Sequence, residues 1–184
     1  LGVTYVGSLP KLPLTYSIGL VNGLNSAGFK HGTLIRGGRY EGRDATANNL
    51  ALTGAIEYTY KKFKFQLSGY YGGSAGLSSR EADSLQLESG IFGTAVGIGE
   101  GNIRYTNGRL AIKVLATTVS IPQAASINRA YANNTPAFAY GGYVEAAYAV
   151  YQSKSSSSIA KLIAFARLED MDLNSDIPTN GIID

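Results

Sequence analysis

Charged side chains recur at every second position within stretches that are otherwise apolar or small. Glu57, Lys64, Glu100, Arg104, Lys113, Glu145, Lys161, Arg167 and Glu169 each fall on the polar side of such an alternating segment. Successive side chains of a strand point to opposite faces, so this spacing gathers nine charges of mixed sign on one face, opposite an apolar one. Mixed charges facing a common space suit a water-filled lumen, where they act on passing solutes. They equally suit a filled interior in which they pair with one another. A separate basic group, Arg36, Arg39 and Arg43 with Lys30 and His31 nearby, lies in an aperiodic stretch. Two roles are open to it: lining a constriction that attracts anions, or a solvated loop against anionic headgroups.

Catalytic chemistry finds no comparable pattern. With no Cys and a single His, there is no thiol nucleophile, no disulfide framework, no thiolate metal site and no His-x-x-x-His pair. No Ser is backed by a His, and no carboxylates converge as a pair, so no catalytic residue, metal or cofactor is expected. Gly97, Gly99 and Gly101 imitate a dinucleotide fingerprint, but no helix pattern follows them and the third glycine is misplaced. Small residues on one strand face are the simpler reading. Asp170, Asp172, Asn174 and Asp176 suggest a calcium loop. That loop lacks its turn glycine and terminal Glu, which leaves a solvated acidic outer loop.

The elements that position the nine charges follow from the same alternation. Leu50 to Gly72 reads as a hairpin of two arms about ten residues long, turning at Lys61 and Lys62. Leu52, Ile56, Tyr58 and Tyr60 share one side of the first arm, and Phe63, Phe65, Leu67 and Tyr71 one side of the second. Aromatic residues gather at both ends. Further strands are expected at Gly2 to Leu9, Leu14 to about Val21, Ala95 to Tyr105, Arg109 to Val119, Phe138 to Tyr151 and Ile159 to Leu168. Asn107–Gly108 predicts a type I′ turn. Ala124 to Ala132 is long enough for a short helix, and Glu169 to Asp184 is aperiodic. Short connections (10–13, 61–62, 106–108, 152–158) alternate with long ones (22–49, 73–94, 120–137). Such a rhythm belongs to an up-and-down barrel with short turns on one side of a membrane and long loops on the other.

Composition agrees with this. Only 16% of the 184 residues are charged, against roughly 25% in soluble domains. No apolar run reaches the ~18 residues of a membrane helix, so a closed barrel is the spanning structure left. A net charge of +3, scattered along the chain, speaks against a nucleic-acid surface. The chain opens on Leu1 inside a strand pattern with no signal peptide, from which a start upstream of Leu1 is expected.

Tyr16 to Leu24 (YSIGLVNGL), Asn48 to Tyr60 (NNLALTGAIEYTY), Phe65 to Gly72 (FQLSGYYG) and Leu162 to Asp172 (LIAFARLEDMD) resemble, in order and spacing, the middle of a Bacteroidota-type outer-membrane porin, related to the phosphate-selective porins. The resemblance implies a passive channel in the bacterial outer membrane with a barrel of about sixteen strands. The expectation is therefore an all-β, antiparallel up-and-down transmembrane β-barrel. About eight strands lie in one segment, 1–184, of a larger barrel that continues at both ends. Its partners would be outer-membrane lipid and small hydrophilic solutes, with a homo-oligomer or a larger outer-membrane complex as further associations. The alternative is an accessory barrel with a plugged lumen.

Overall fold

The computed structural model describes residues 1–42, 45–153 and 160–179. Eight antiparallel strands form one sheet in strict sequence order. They are β1 (Gly2–Leu9), β2 (Leu14–Asn22), β3 (Leu50–Tyr60), β4 (Phe63–Gly72), β5 (Val96–Asn107), β6 (Leu110–Ser120), β7 (Phe138–Gln152) and β8 (Lys161–Asp176). Each pairs only with its sequence neighbours, so β1 and β8 are the two edges and do not meet. No helix is long and apolar enough to cross a membrane among the described residues.

Alternation settles which residues form strands and which way they face. On β3, Leu52 and Ile56 are 46% and 52% exposed, whereas Ala51 between strand and loops is buried. The apolar face is thus the open one, and the polar face is the partly covered one. Register carries this division across the sheet: Tyr58, Phe65, Ile103, Val114, Val144 and Leu168 are successive partners on the open face.

Two expectations are corrected. The segment from Glu169 to Asp176 is not an aperiodic loop but the second half of the 16-residue β8. Pairing with Tyr140, Gly141, Gly142 and Tyr143 holds these polar residues extended, which local sequence did not show. The β5–β6 turn is not an Asn–Gly type I′ turn. Asn107 pairs with Leu110, and the turn is Gly108–Arg109 with positive φ at Gly108 alone. The 73–94 connection contains a helix, α1 (Ser79–Ser84), begun by a capping box in which Ser78 and Glu81 bond each other's backbone. The expected helix after β6 forms as α2 (Ala124–Tyr131).

The long connections fold together as a cap over the polar face at its loop end. Phe29, Leu34, Ala82, Leu87, Ile121, Ala124 and Ile127 form one buried cluster, against which Tyr70, Ile98 and Val119 pack from the sheet. Those three and Ala139 occupy one hydrogen-bonded row of β4 to β7, so the cap rests on a flat strip of inward side chains. Gly28 and Gly37 cross so closely that a Cβ on either would overlap the other's carbonyl. Polar ties complete the cap. Asn49 is buried, donates from Nδ2 to Gly90 O at 2.8 Å and accepts from Gly76 N. Asn128 holds Thr135 by two bonds, accepting from its N at 2.7 Å and donating to its O at 3.1 Å. Burial pushes the Tyr131 phenol up from its ordinary value.

Two outcomes test the cap. Asn49→Ala strands the Gly76 amide and the Gly90 carbonyl, and should lower the unfolding free energy by about 1–3 kcal/mol in urea titrations. The Ser78 hydroxyl and amide hold the Glu81 carboxyl below its usual range. A depressed folded pKa stabilises α1 above the unfolded value, and that contribution disappears as pH falls through the folded one. An NMR titration of Glu81 should therefore show a low pKa that returns towards the ordinary glutamate value in Ser78→Ala.

Candidate functional site: a charged lining face

The sheet brings the nine alternating charges to one face, seven of them in two adjacent rows. Lys64, Arg104, Lys113, Glu145 and Arg167 are successive cross-strand partners from β4 to β8. The next row runs Glu57, Gln66, Asn102, Leu115, Tyr143, Glu169. Glu100 belongs one row further, beside Ser68 and Thr117, and alternation along β8 puts Lys161 on the face of Arg167.

Within the rows, two carboxylates organise the cations. Glu57 accepts from Lys64 Nζ at 3.0 Å and from Arg104, whose Nη2 also reaches Gln66 Oε1 at 3.2 Å. Glu145 takes Arg167 through Nε at 3.1 Å and Nη2 at 2.9 Å, and lies 3.5 Å from Lys113. Arg167 further stacks over the Tyr143 ring at 4.1 Å and approaches Glu169 at 3.7 Å. Each clamp has two cations around one carboxylate. The carboxylates are the sheltered members, 26% exposed at Glu57 and 14% at Glu145, whereas Lys64 and Lys113 are half exposed. Within each clamp the cations are therefore the more open members.

The basic loop splits. Arg36 and Arg39 are exposed on a 3-10 turn (Arg36–Gly38), where Arg39 Nε donates to the Arg36 carbonyl at 3.2 Å. Neither pairs with any of the nine lining charges, and Arg43 lies outside the described residues. The loop itself does come inward: Leu34 lines a recess of about 220 Å³ with Leu115, Val119, Tyr143, Glu169 and Met171. Its neighbour Gly32 donates to Asn174 Oδ1 at 3.4 Å on β8.

Several lining residues are not singled out by the search for alternating charges. Gln66, Asn102 and Tyr143 complete the rows as uncharged partners, and the alternation that marks Lys64 and Arg104 would have marked them as well. Met171 and Leu173 make the inward face of β8 apolar at the recess, which a strand end set at Leu168 concealed. The acidic residues Asp170 and Asp172, expected in an outer loop, lie on β8 opposite Gly142 and Tyr140 on the open face. The glycines of β5 share that face, with Gly99 beside Gly69 of β4.

No protein-family model and no curated protein matches this chain.

The clamps are wet, which limits their strength. A double-mutant cycle between Glu145→Gln and Arg167→Gln should return a coupling of about 1 kcal/mol or less, shrinking further at 1 M salt.

Proposed function

We propose that the chain is a wall segment of an outer-membrane β-barrel porin, which passes small hydrophilic solutes with a weak preference for anions. The observation that carries this reading is the division of faces. One face is apolar and exposed on β1 to β7 and on β8 as far as Leu168, with Asp170 and Asp172 beyond it, and the other bears the nine charges and is covered by folded loops at its loop end. Lipid outside and water inside require that division.

Stagger supports the same architecture. The row of Lys64 and Arg104 lies one residue from the β3–β4 turn, at Lys64 of β4, and three residues from the β5–β6 turn, at Lys113 of β6. At Arg167 of β8 it lies six residues from the strand's start. The row thus climbs towards the loops by roughly one residue per strand. A rise of ~3.3 Å over a ~4.8 Å strand spacing corresponds to a tilt of about 35°, which is that of barrel walls. The two unpaired edges support a larger barrel of about sixteen strands, since unsatisfied backbone groups in lipid cost several kcal/mol each. Short turns then face the periplasm and the cap faces outward.

Anion preference rests on the exposed cations around the sheltered Glu57 and Glu145, more than on the Arg36 loop. A lining of like charge concentrates counter-ions, and its effect fades once the Debye length shrinks to ~3 Å at 1 M salt. In planar bilayers, a KCl gradient should give a chloride over potassium permeability ratio of about two at 0.1 M, falling towards one at 1 M. Changing Lys64, Arg104, Lys113 and Arg167 to Gln should reverse the preference. Changing Arg36, Arg39 and Arg43 to Ala should move it less. The packing of the cap on the inward face favours one other reading, an accessory barrel with a plugged lumen. A protein that inserts into bilayers yet conducts nothing would select it.

A further inference from the structure

The short-turn rim has a charge pattern unlike the rest of the chain. Lys11 lies in the β1–β2 turn, Lys61 and Lys62 in the β3–β4 turn and Arg109 in the β5–β6 turn. All four are exposed, and none forms an ion pair among the described residues. Lys62 Nζ donates to Asn107 Oδ1 at 2.6 Å and Lys61 lies 5.2 Å from the centre of the Tyr60 ring, both neutral partners. No Asp or Glu occurs in residues 10–13, 61–62, 108–109 or 153–161. At the opposite end, basic and acidic residues mix: Arg36 and Arg39 with Glu41, Arg80 with Glu81, Asp83 and Glu88, then Asp170, Asp172 and Asp176 on β8.

Like charges held together without carboxylates repel one another, so the rim favours an external anion. Three features indicate which kind. The cations are spread over three successive hairpins and do not gather in one patch, so the counter-charge has to be a layer and not a point. Six strands at a spacing of ~4.8 Å make that line roughly 24 Å long. Directly above it on the open face are Tyr58, Tyr60, Phe63, Phe65, Tyr148 and Tyr151, all exposed aromatic rings. Aromatic rings next to Lys and Arg mark the depth at which hydrocarbon gives way to headgroups. Finally, the turns are short, so the ammonium and guanidinium groups stay within a side chain's length of that boundary.

We infer that the short-turn rim is a lipid-headgroup interface that selects anionic phospholipids in the leaflet on its side of the membrane. This rests on the membrane reading above and adds to it a specific lipid class and the residues that choose it. Each cation near an anionic surface favours binding, and the effect is lost within a Debye length.

The experiment places the full chain in phosphatidylcholine bilayers containing trace spin-labelled phosphatidylglycerol or spin-labelled phosphatidylcholine. Electron paramagnetic resonance then reads the fraction of each label immobilised at the protein surface. Expected is roughly a two- to five-fold preference for phosphatidylglycerol at low salt, falling to about one at 1 M. A variant with Lys11, Lys61, Lys62 and Arg109 all changed to Gln should lose the preference while immobilising as much phosphatidylcholine as before. A control with Arg36 and Arg39 changed to Gln should keep it. Immobilised lipid without headgroup preference, or a preference lost in the control and kept in the rim variant, overturns the inference and leaves the membrane reading standing. Absence of any immobilised lipid overturns both. A soluble poly-glutamate peptide that binds the rim in pure phosphatidylcholine, with no selection of phosphatidylglycerol, would assign the surface to an acidic protein partner and overturn it too.

Discussion

Antiparallel backbone pairing ties the face of every side chain in this protein to the register of its strand. A slip of β4 by one residue against β3 would carry Gln66 to the apolar face and Phe65 to the charged one. Tight connections at Lys61–Lys62 and Gly108–Arg109 leave the strands they join little freedom to slip. The same register sets Tyr70, Ile98, Val119 and Ala139 in one row, and without that strip the cap would have no flat surface to rest on.

Magnitudes rank the remaining forces. The Glu57 and Glu145 clamps join partly exposed side chains, where an ion pair contributes about 1 kcal/mol or less. They arrange charge on the lining face without holding the sheet together. Burial of Phe29, Ile121 and Ile127 stabilises the cap more strongly, since a fully buried side chain of this size contributes about 1.5–3 kcal/mol. β1 and β8 have no strand partner on their outer sides, so rows of amides and carbonyls there are left open to a further strand.

The cap also changes what the long connections mean. Connections of this length are uncommon unless they are functional or disordered. Here they share a core and are cross-tied by Asn49, Gln123 and Asn133, with Ala95 N donating to Gln123 Oε1 at 3.1 Å. The packed cap covers the loop end of the charged face, where Leu34 and its neighbours lie over β6 to β8.

Sequence alone determined the number of strands, their order and the face of the nine alternating charges, because a period of two is written locally and needs no partner to be read. β1 and β4 carry the expected bounds, Gly2–Leu9 and Phe63–Gly72, and α2 forms where a short helix was expected. The second half of β8 was not legible, because Glu169 to Asp176 is polar and is held extended by β7, not by its own propensity. Only the tertiary structure decided which carboxylate clamps which cations, and that Leu34 reaches the lining face while Arg36 and Arg39 stay exposed. It alone decided the cap, because Asn133 meets Ser26 across 107 positions and Gly32 meets Asn174 across 142. Contacts of that range depend on where the sheet has already carried each loop, and no local pattern of residues encodes them.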